Sequence, residues 1–375
     1  MTEWPAMEKP AIDLGDIQDI LVGSLHIPAN NVACVKLAGD AGNRRYYRVF
    51  WNEGPTARTL ILMVLTEPEG FKASEEAMSA NTNTNTITEL PFINIQKHLQ
   101  RCKIAVPEIT CYEPQRGWIF LEDLGDLLLI DAIRGKEEST VVRLYEKAID
   151  ELVALQIRAT PTPNMPTLVH ERFFDAALLM WEFDHFIEYG IEKQTGRSLP
   201  DPDKTMIRGF FSDIARRLAS LPQVFTHRDY HSRNLLVQQT EGIAPLVGDR
   251  IRVIDFQDAL MGPCQYDLAS LLRDSYVDLP EPVIDHLIAY YLDLWEAHQG
   301  QKVHREMFRE FFDLISIQRN LKAAGRFVYI DCVKKNPNFL CNIPPTLAKV
   351  KRNLMKYPRL STLHHYLAKY VEALQ

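Results

Sequence analysis

Two short apolar segments, each joined to polar residues, constrain the fold of this chain more than any other feature. Residues 224–236 read VFTHRDYHSRNLL and residues 252–256 read RVIDF. The segments 235–238 and 250–254 have the composition of short strands, and their spacing suits a hairpin. Such a hairpin would bring Asn234, which precedes its first strand, close to Asp255, which follows its second.

The polar residues around this hairpin suit phosphoryl transfer. His227, Asp229 and Asn234 form the pattern His-x-Asp-x-x-x-x-Asn, and Asp255 follows about twenty residues later. In this chemistry one Asp orients a hydroxyl group, while an Asn and a second Asp hold the metal ions that bridge ATP phosphates. Amide and carboxylate oxygens are the hard ligands that Mg²⁺ requires. The simpler alternative, a salt-bridged surface turn beside a buried strand, is disfavoured by the complete pattern.

The two parts of the chain differ in periodicity. Strand-like runs and one or two helices occupy the first 120 residues or so, whereas helical spacing dominates from about residue 124 onward. This change predicts an α+β protein with a β-rich N-terminal lobe, residues 1–122, and a mainly helical C-terminal lobe, residues 123–375. The predicted strands are 32–37, 46–51, 59–66 and 118–122, and the predicted helices are 12–24, 140–157, 173–189, 204–221, 283–298 and 307–329; residues 91–99 are amphipathic.

Composition and charge exclude several classes of protein. With 46% hydrophobic and 24% charged residues among 375, the chain is neither disordered nor collagen-like. The net charge of −7 argues against a broad nucleic-acid-binding surface. A polyanionic ligand would need a few well-placed cations or a metal ion.

The start of the chain and its cysteines point to the cytoplasm. Residues 1–5 contain no basic segment followed by an apolar one, and no apolar run reaches the ~18 residues of a membrane span. The six cysteines are scattered and form no Cys-x-x-Cys pair. We therefore expect free, mostly buried thiols in a reducing compartment, and no membrane partner.

These motifs resemble the aminoglycoside phosphotransferase and choline kinase family, small-molecule kinases with a two-lobed, protein-kinase-like fold. The resemblance extends from about residue 32 to about residue 329 and includes GPCQYDLA at residues 262–269. Within the family, HRDYHSRNLL, VIDFQDALMGP and YDLASLLRDSY are most similar to bacterial N-acetylmuramate/N-acetylglucosamine anomeric kinases of cell-wall recycling. GDAGNRRYYR at residues 39–48 and QRNLK at residues 318–322 fit the same subgroup.

The resemblance implies a role for each motif. Asp229 is the catalytic base, His227 supports its loop, and Asn234 and Asp255 are the Mg²⁺ ligands. Asp267 braces the loop from the helical lobe. The implied nucleotide-binding residues are the phosphate lid Gly39, Asp40, Ala41, Gly42 and Asn43, with Arg45, and the interlobe linker Glu122, Asp123 and Leu124, which would contact the adenine.

Besides a lid that is not Gly-x-Gly-x-x-Gly, the sequence departs from the family pattern in two places. The strand-like run TLILMVLT has Met63 or Val64 where a phosphate-binding Lys is expected, which leaves Lys72, Arg45 or Arg48 as replacements. In addition, Asp255 is followed by Phe and Gln instead of Phe and Gly, and no Ala-Pro-Glu motif follows. The second departure favours a small-molecule kinase over a protein kinase.

Five polar residues are candidates for the acceptor side of the site. His231 and Arg233 lie within the catalytic loop, and Asp258 follows Asp255 by three residues. Arg319 and Lys322 lie on an otherwise apolar helix, where a polar group needs a partner. The alternatives are a loop-stabilising hydrogen bond for His231, a turn cap for Asp258 and a buried carboxylate partner for the two cations.

Taken together, these patterns predict an ATP- and Mg²⁺-dependent kinase that acts on a small hydroxylated substrate. The resemblance alone favours the anomeric hydroxyl of an N-acetylated amino sugar. An aminoglycoside, choline or another sugar is an alternative acceptor. A nucleotide-binding pseudokinase is the non-enzymatic alternative, favoured only by the missing strand lysine. The oligomeric state stays open.

Overall fold

The computed structural model describes residues 12–28, 30–37, 44–53, 56–65, 89–161, 165–239 and 248–375. The chain divides into two compact units. The first comprises Met1–Ser74 and Val106–Gly125, and the second comprises Glu75–Ala105 and Asp126–Gln375. The contacts thus group residues 75–105 with the second unit, and the lobe boundary between residues 122 and 123 stays a prediction.

An antiparallel sheet forms the first unit. Its strands are β1 (Asn30–Lys36), β2 (Arg45–Glu53), β3 (Thr56–Val64), β4 (Ile109–Glu113) and β5 (Trp118–Glu122), in the order β1-β2-β3-β5-β4.

Alternation along β2 decides which face of this sheet is buried. Tyr47, Val49 and Trp51 pack in one apolar cluster with Ile17 and Leu21, both of which belong to helix α1 (Leu14–Gly23). Successive strand residues point to opposite faces, so the residues between them lie on the other face.

The second unit is mainly helical. Its long helices are amphipathic and bury their apolar faces against one another, as their spacing predicts. The helices are α2 (Pro91–Arg101), α3 (Leu129–Ala132), α4 (Glu138–Arg158), α5 (Ala176–His185), α6 (Asp201–Ala219), α7 (Gln265–Leu272), α8 (Glu281–Gln299), α9 (Arg305–Lys334), α10 (Ile343–Lys356) and α11 (Ser361–Ala368); a π-helix, Phe186–Lys193, continues α5.

Two short strand pairs position the polar motifs within the helical unit. β6 (Gln223–Thr226) pairs with β9 (Leu260–Pro263), and β7 (Leu235–Gln238) pairs with β8 (Arg250–Val253). The predicted hairpin is therefore confirmed. The connection from β6 to β7 is residues 227–234, and the connection from β8 to β9 is residues 254–259. The two polar motifs therefore occupy the connections on either side of the hairpin.

Two further findings concern membrane-spanning helices and cysteines. None of the helices in the described ranges combines the length and the apolar character needed to cross a membrane. All six cysteines are free thiols, but only Cys34 and Cys102 are buried, so the expectation of mostly buried thiols is wrong.

Candidate active site

The β6–β7 connection, residues 227–234, brings the half-buried residue Asp229 and the side-chain amide of Asn234 together with Asp255 of the β8–β9 connection. The side-chain amide of Asn234 donates to the carbonyl oxygen of Asp229 at 3.0 Å, and its nitrogen lies 3.5 Å from Oδ2 of Asp255. The backbone N–H of Ile254 donates to the carbonyl oxygen of Asn234 at 3.1 Å, which ties the two connections together. The structure thus places Asp229, Asn234 and Asp255 side by side.

Two residues in these connections have left-handed backbone conformations. Arg228 has a φ of 77° and Asp255 has a φ of 64°. Such conformations cost a non-glycine residue roughly 1–2 kcal/mol and persist only where the surrounding structure imposes them. One of these residues, Arg228, directly precedes Asp229, and the other is Asp255 itself.

The side chain of His227, in the first connection, forms a hydrogen bond to the second connection. Its ring Nε2 lies 2.9 Å from the carbonyl oxygen of Ile254, which makes this nitrogen the donor. Complete burial lowers the pKa of His227, because the charged imidazolium is poorly solvated there. The ring is therefore neutral at neutral pH.

Asp267, in the first turn of α7, holds the start of the loop. Its Oδ2 accepts the backbone N–H of His227 at 2.6 Å, and its Oδ1 accepts that of Arg228 at 3.0 Å. Burial raises the pKa of Asp267 to about 7, although both hydrogen bonds favour the charged form. Its geometry fits the bracing role that the resemblance implies.

Gln257 occupies the position where the related motif has Gly. Its side-chain nitrogen donates to Oδ1 of Asp255 at 3.0 Å and lies 3.3 Å from Oδ2 of Asp258. Phe256 stacks on Phe92 of α2, with ring centroids 4.9 Å apart. The sequence signalled Gln257 only as a departure from Asp-Phe-Gly, whereas the structure makes it the bridge between the two carboxylates.

The two remaining loop candidates, His231 and Arg233, contact each other and share a contact with the Tyr276 ring. The backbone N–H of Arg233 donates to Nδ1 of His231 at 3.3 Å. The Arg233 guanidinium lies over the Tyr276 ring, 4.7 Å from its centroid, and the rings of His231 and Tyr276 are 5.6 Å apart. These contacts agree with the loop-stabilising alternative for His231.

Lys322 reaches a buried carboxylate that sequence reasoning missed. Its Nζ lies 2.7 Å from Oε1 of Glu182, and the same carboxylate pairs with Nη2 of Arg228 at 3.0 Å. Gln318 also donates to Glu182, at 2.6 Å. A single Glu on the apolar helix α5 was the only sequence signal for this cluster, which connects α5 and α9 to the residue before Asp229.

Arg319 differs from Lys322. Its side chain is 6% exposed, and its Nε and Nη1 have no hydrogen-bond partner among the described residues.

The nucleotide-side candidates belong to the first unit. Arg45 begins β2, Glu122 ends β5, and Leu124 is half-buried in the segment that follows. Asp123 forms a two-point ion pair with Arg48 of β2, at 2.6 Å to Nε and 3.0 Å to Nη2. The lid residues 39–43 and Lys72 lie outside the described residues.

The donor set suits a magnesium ion that also binds substrate. Within the described ranges, no three His, Cys, Asp or Glu side chains cluster as a metal site on their own. Asn234 and Asp255 provide an amide and a carboxylate oxygen, both hard ligands. Mg²⁺ is commonly held by one or two carboxylates together with phosphate oxygens and water, so these residues fit the ion.

Solved structures with the same fold are small-molecule kinases. The choline kinase of Cryptosporidium parvum aligns over 93% of this chain and 95% of its own, with a TM-score of 0.57 and 12% identity. The choline kinase of Streptococcus pneumoniae aligns over 92% and 99%, with a TM-score of 0.56 and 14% identity. The protein-kinase-like, two-lobed fold class predicted from the sequence is therefore confirmed.

Sequence comparison identifies the family. An N-acetylmuramate/N-acetylglucosamine kinase of Pseudomonas putida is 30% identical over 74% of this chain and 77% of its own length. A protein of the same name from Neisseria meningitidis is 28% identical over 89% of both chains. The model of the phosphotransferase enzyme family matches residues 33–300. The chain therefore belongs to the phosphotransferase enzyme family and is a small-molecule kinase.

Proposed function

We propose that this protein is an ATP- and Mg²⁺-dependent kinase that phosphorylates the anomeric hydroxyl of N-acetylmuramate or N-acetylglucosamine. The observation that carries the proposal is the approach of Asp229, Asn234 and Asp255 in two neighbouring connections. The relatives from Pseudomonas putida and Neisseria meningitidis, named for this activity, support the acceptor.

Asp229 acts as the base. Its half-buried carboxylate accepts the proton of the acceptor hydroxyl as the oxygen attacks the γ-phosphorus. One O–P bond forms, the bond between the γ-phosphorus and the β–γ bridging oxygen breaks, and ADP departs. The hydrogen bond from Asn234 to the Asp229 carbonyl fixes the position of this residue.

Asn234 and Asp255 would hold Mg²⁺, which neutralises negative charge on the phosphate oxygens when bound. The Asn234 nitrogen already donates to Asp229, so the amide oxygen is the atom suited to the metal. Gln257 donates to one oxygen of Asp255, which restricts the rotation of the carboxylate.

Arg48 is our candidate for the cation that replaces the strand lysine. β3 carries Met63 and Val64 where that lysine is expected, and Arg48 lies on the adjacent strand β2. Its ion pair with Asp123 fixes the guanidinium, much as a carboxylate fixes the nucleotide-binding lysine in protein kinases.

The test is a measurement of ADP formation with and without Mg²⁺, for N-acetylmuramate, N-acetylglucosamine, choline and an aminoglycoside. We expect Mg²⁺-dependent turnover with the two amino sugars. The methyl glycoside of N-acetylglucosamine has no free anomeric hydroxyl, so it should not be phosphorylated.

Three outcomes would contradict parts of the proposal. Turnover of the methyl glycoside would place the phosphate at another hydroxyl. Turnover restricted to choline or the aminoglycoside would replace the acceptor. ATP binding with no turnover of any acceptor would favour the pseudokinase alternative.

A further inference from the structure

A buried turn after α7 holds the second half of the catalytic loop. Asp274, 1% exposed, accepts both the backbone N–H of Ser232 at 3.0 Å and its hydroxyl at 2.5 Å, through the same carboxylate oxygen. Ser232 is itself completely buried. A buried carboxylate that receives two hydrogen bonds from one residue defines the position of that residue strongly.

The same turn contacts the residues on either side of Ser232. The other oxygen of Asp274 accepts the backbone N–H of Tyr276 at 3.0 Å, which sets the Tyr276 ring in place. That ring lies 4.7 Å from the Arg233 guanidinium and 5.6 Å from the His231 ring. Three consecutive loop residues are therefore held by one turn.

Lys349 of α10 holds the turn from the opposite side. Its ammonium group, on a side chain that is 3% exposed, donates to the carbonyl oxygen of Asp274 and, at 2.7 Å, to that of Val277. The chain of contacts thus runs from α10 through the turn to Ser232, two residues before Asn234.

Asp267 and Asp274 hold different halves of the catalytic loop. Asp267 binds the backbone of His227 and Arg228, before the base, whereas Asp274 binds Ser232, after it. Asn234 belongs to the half that Asp274 holds.

We propose that Asp274 is a positioning residue, which acts through Ser232 to set the Asn234 side chain for Mg²⁺; this proposal rests on the proposed function. When the carboxylate is absent, two buried donors of Ser232 lose their acceptor and the loop relaxes. Asn234 then presents its oxygen less accurately, and the affinity for Mg²⁺ falls. Partners of metal ligands typically contribute about 10-fold to 100-fold to metal affinity.

The experiment uses the full chain carrying Ser232→Ala, Ser232→Thr and Asp274→Asn. We expect Ser232→Ala and Asp274→Asn to raise the half-saturating Mg²⁺ concentration about 10-fold or more, with the KM for the acceptor nearly unchanged. Ser232→Thr keeps the hydroxyl and should restore much of the loss. The double variant Ser232→Ala/Asp274→Asn should be little worse than Asp274→Asn alone, because the hydrogen bond from the Ser232 hydroxyl is one of those that Asp274→Asn already weakens.

A second readout does not depend on turnover. The rise in Tm caused by Mg²⁺ with ADP should be smaller in Ser232→Ala than in the wild type. Ser316→Ala in α9 is the matched control, since Ser316 is also completely buried and its hydroxyl donates to a single carbonyl oxygen, that of Phe312, at 2.7 Å. It should lower the Tm without changing either Mg²⁺ readout.

The proposal is overturned if Ser232→Ala lowers only the Tm, as Ser316→Ala does, and leaves both Mg²⁺ readouts unchanged. If Asp274→Asn does not fold, Ser232→Ala alone decides. A wild-type protein that turns over none of the acceptors refutes the proposed function, whereas the Mg²⁺-induced Tm shift still tests Asp274.

Discussion

At the scale of single residues, the candidate active site depends on the hydrogen bonds that its polar atoms form. The side-chain nitrogen of Asn234 donates to the backbone carbonyl of Asp229, and one carboxylate oxygen of Asp255 accepts a hydrogen bond from the Gln257 amide. We assign the remaining oxygen of the Asn234 amide and the carboxylate of Asp255 to metal binding. Asp229 is the one whose carboxylate we assign to proton transfer.

Replacement of that base is the most direct test. Asp229→Asn keeps the shape of the side chain but cannot accept the proton, so we expect kcat to fall about 100-fold to 10,000-fold. The backbone carbonyl that receives Asn234 is unchanged, so the Kd for ATP, measured by calorimetry, should stay close to that of the wild type. A variant with undiminished kcat would refute the assignment of the base.

The nucleotide-binding cation is tested by Arg48→Gln against Arg45→Gln. If Arg48 contacts the nucleotide, its loss should raise the KM for ATP about 10-fold or more, the equivalent of one hydrogen bond to a charged group. Arg45 begins β2 with an exposed side chain and is the alternative cation.

Asp123→Asn separates binding from stability in the same assay. It removes the charge that fixes Arg48. If Arg48→Gln and Asp123→Asn lower the Tm equally and neither changes the KM for ATP, the ion pair is only structural and the assignment of Arg48 is wrong.

At the scale of elements, packing between α9 and the start of the π-helix depends on one glycine. A Cβ on Gly325 would lie 2.9 Å from the Cα of Phe186 and 3.3 Å from the His185 carbonyl oxygen. α9 therefore approaches the backbone of its neighbour more closely than any residue with a side chain allows. A glycine inside a helix otherwise weakens it.

Gly325→Ala and Gly209→Ala should therefore shift stability in opposite directions. Gly325→Ala should lower the free energy of unfolding by about 1–3 kcal/mol, because backbone has to move. Gly209 in α6 has open space around its Cβ position, so Gly209→Ala should raise stability by about 0.5–1 kcal/mol through helix propensity. Urea unfolding checks both, and a stabilised Gly325→Ala would contradict the close packing.

At the scale of the whole molecule, one carboxylate joins several helices of the second unit. Glu281, at the start of α8, accepts hydrogen bonds from Arg273 after α7, Arg309 of α9 and Arg352 of α10. Arg273 is almost completely buried, so its charge needs this partner. The hydrogen bonds from Arg273 chiefly lower the pKa of Glu281 to about 2.

The lowered pKa predicts how stability depends on pH. An unfolded Glu has a pKa of about 4.3, so the folded state binds the proton less readily than the unfolded state. The contribution of Glu281 is complete above that value and is lost as the pH falls from about 4 toward about 2. Urea unfolding of wild type and Glu281→Gln across this range should give two curves that converge at low pH. A constant difference between them would contradict the predicted shift.

Much of the fold followed from local pattern. The runs 32–37, 46–51, 59–66 and 118–122 correspond to β1, β2, β3 and β5, and the long helices appear near their predicted positions. β4, β6 and β9 were not predicted, because each has only four or five residues and lacks the continuous apolar run that marked the equally short β5. The helices α10 and α11 and the π-helix were not predicted either.

The sequence by itself determined that Asn234 and Asp255 meet, because 21 residues and one hairpin separate them. The tertiary structure alone decided which distant carboxylates pair with the loop residues and with Arg48. Asp274 reaches Ser232 from 42 residues away, Glu182 reaches Arg228 from 46, and Asp123 reaches Arg48 from 75. A hairpin leaves a local signature in spacing, whereas a buried carboxylate acquires its partner only when distant helices and strands pack together, so its identity is absent from any single stretch of the chain.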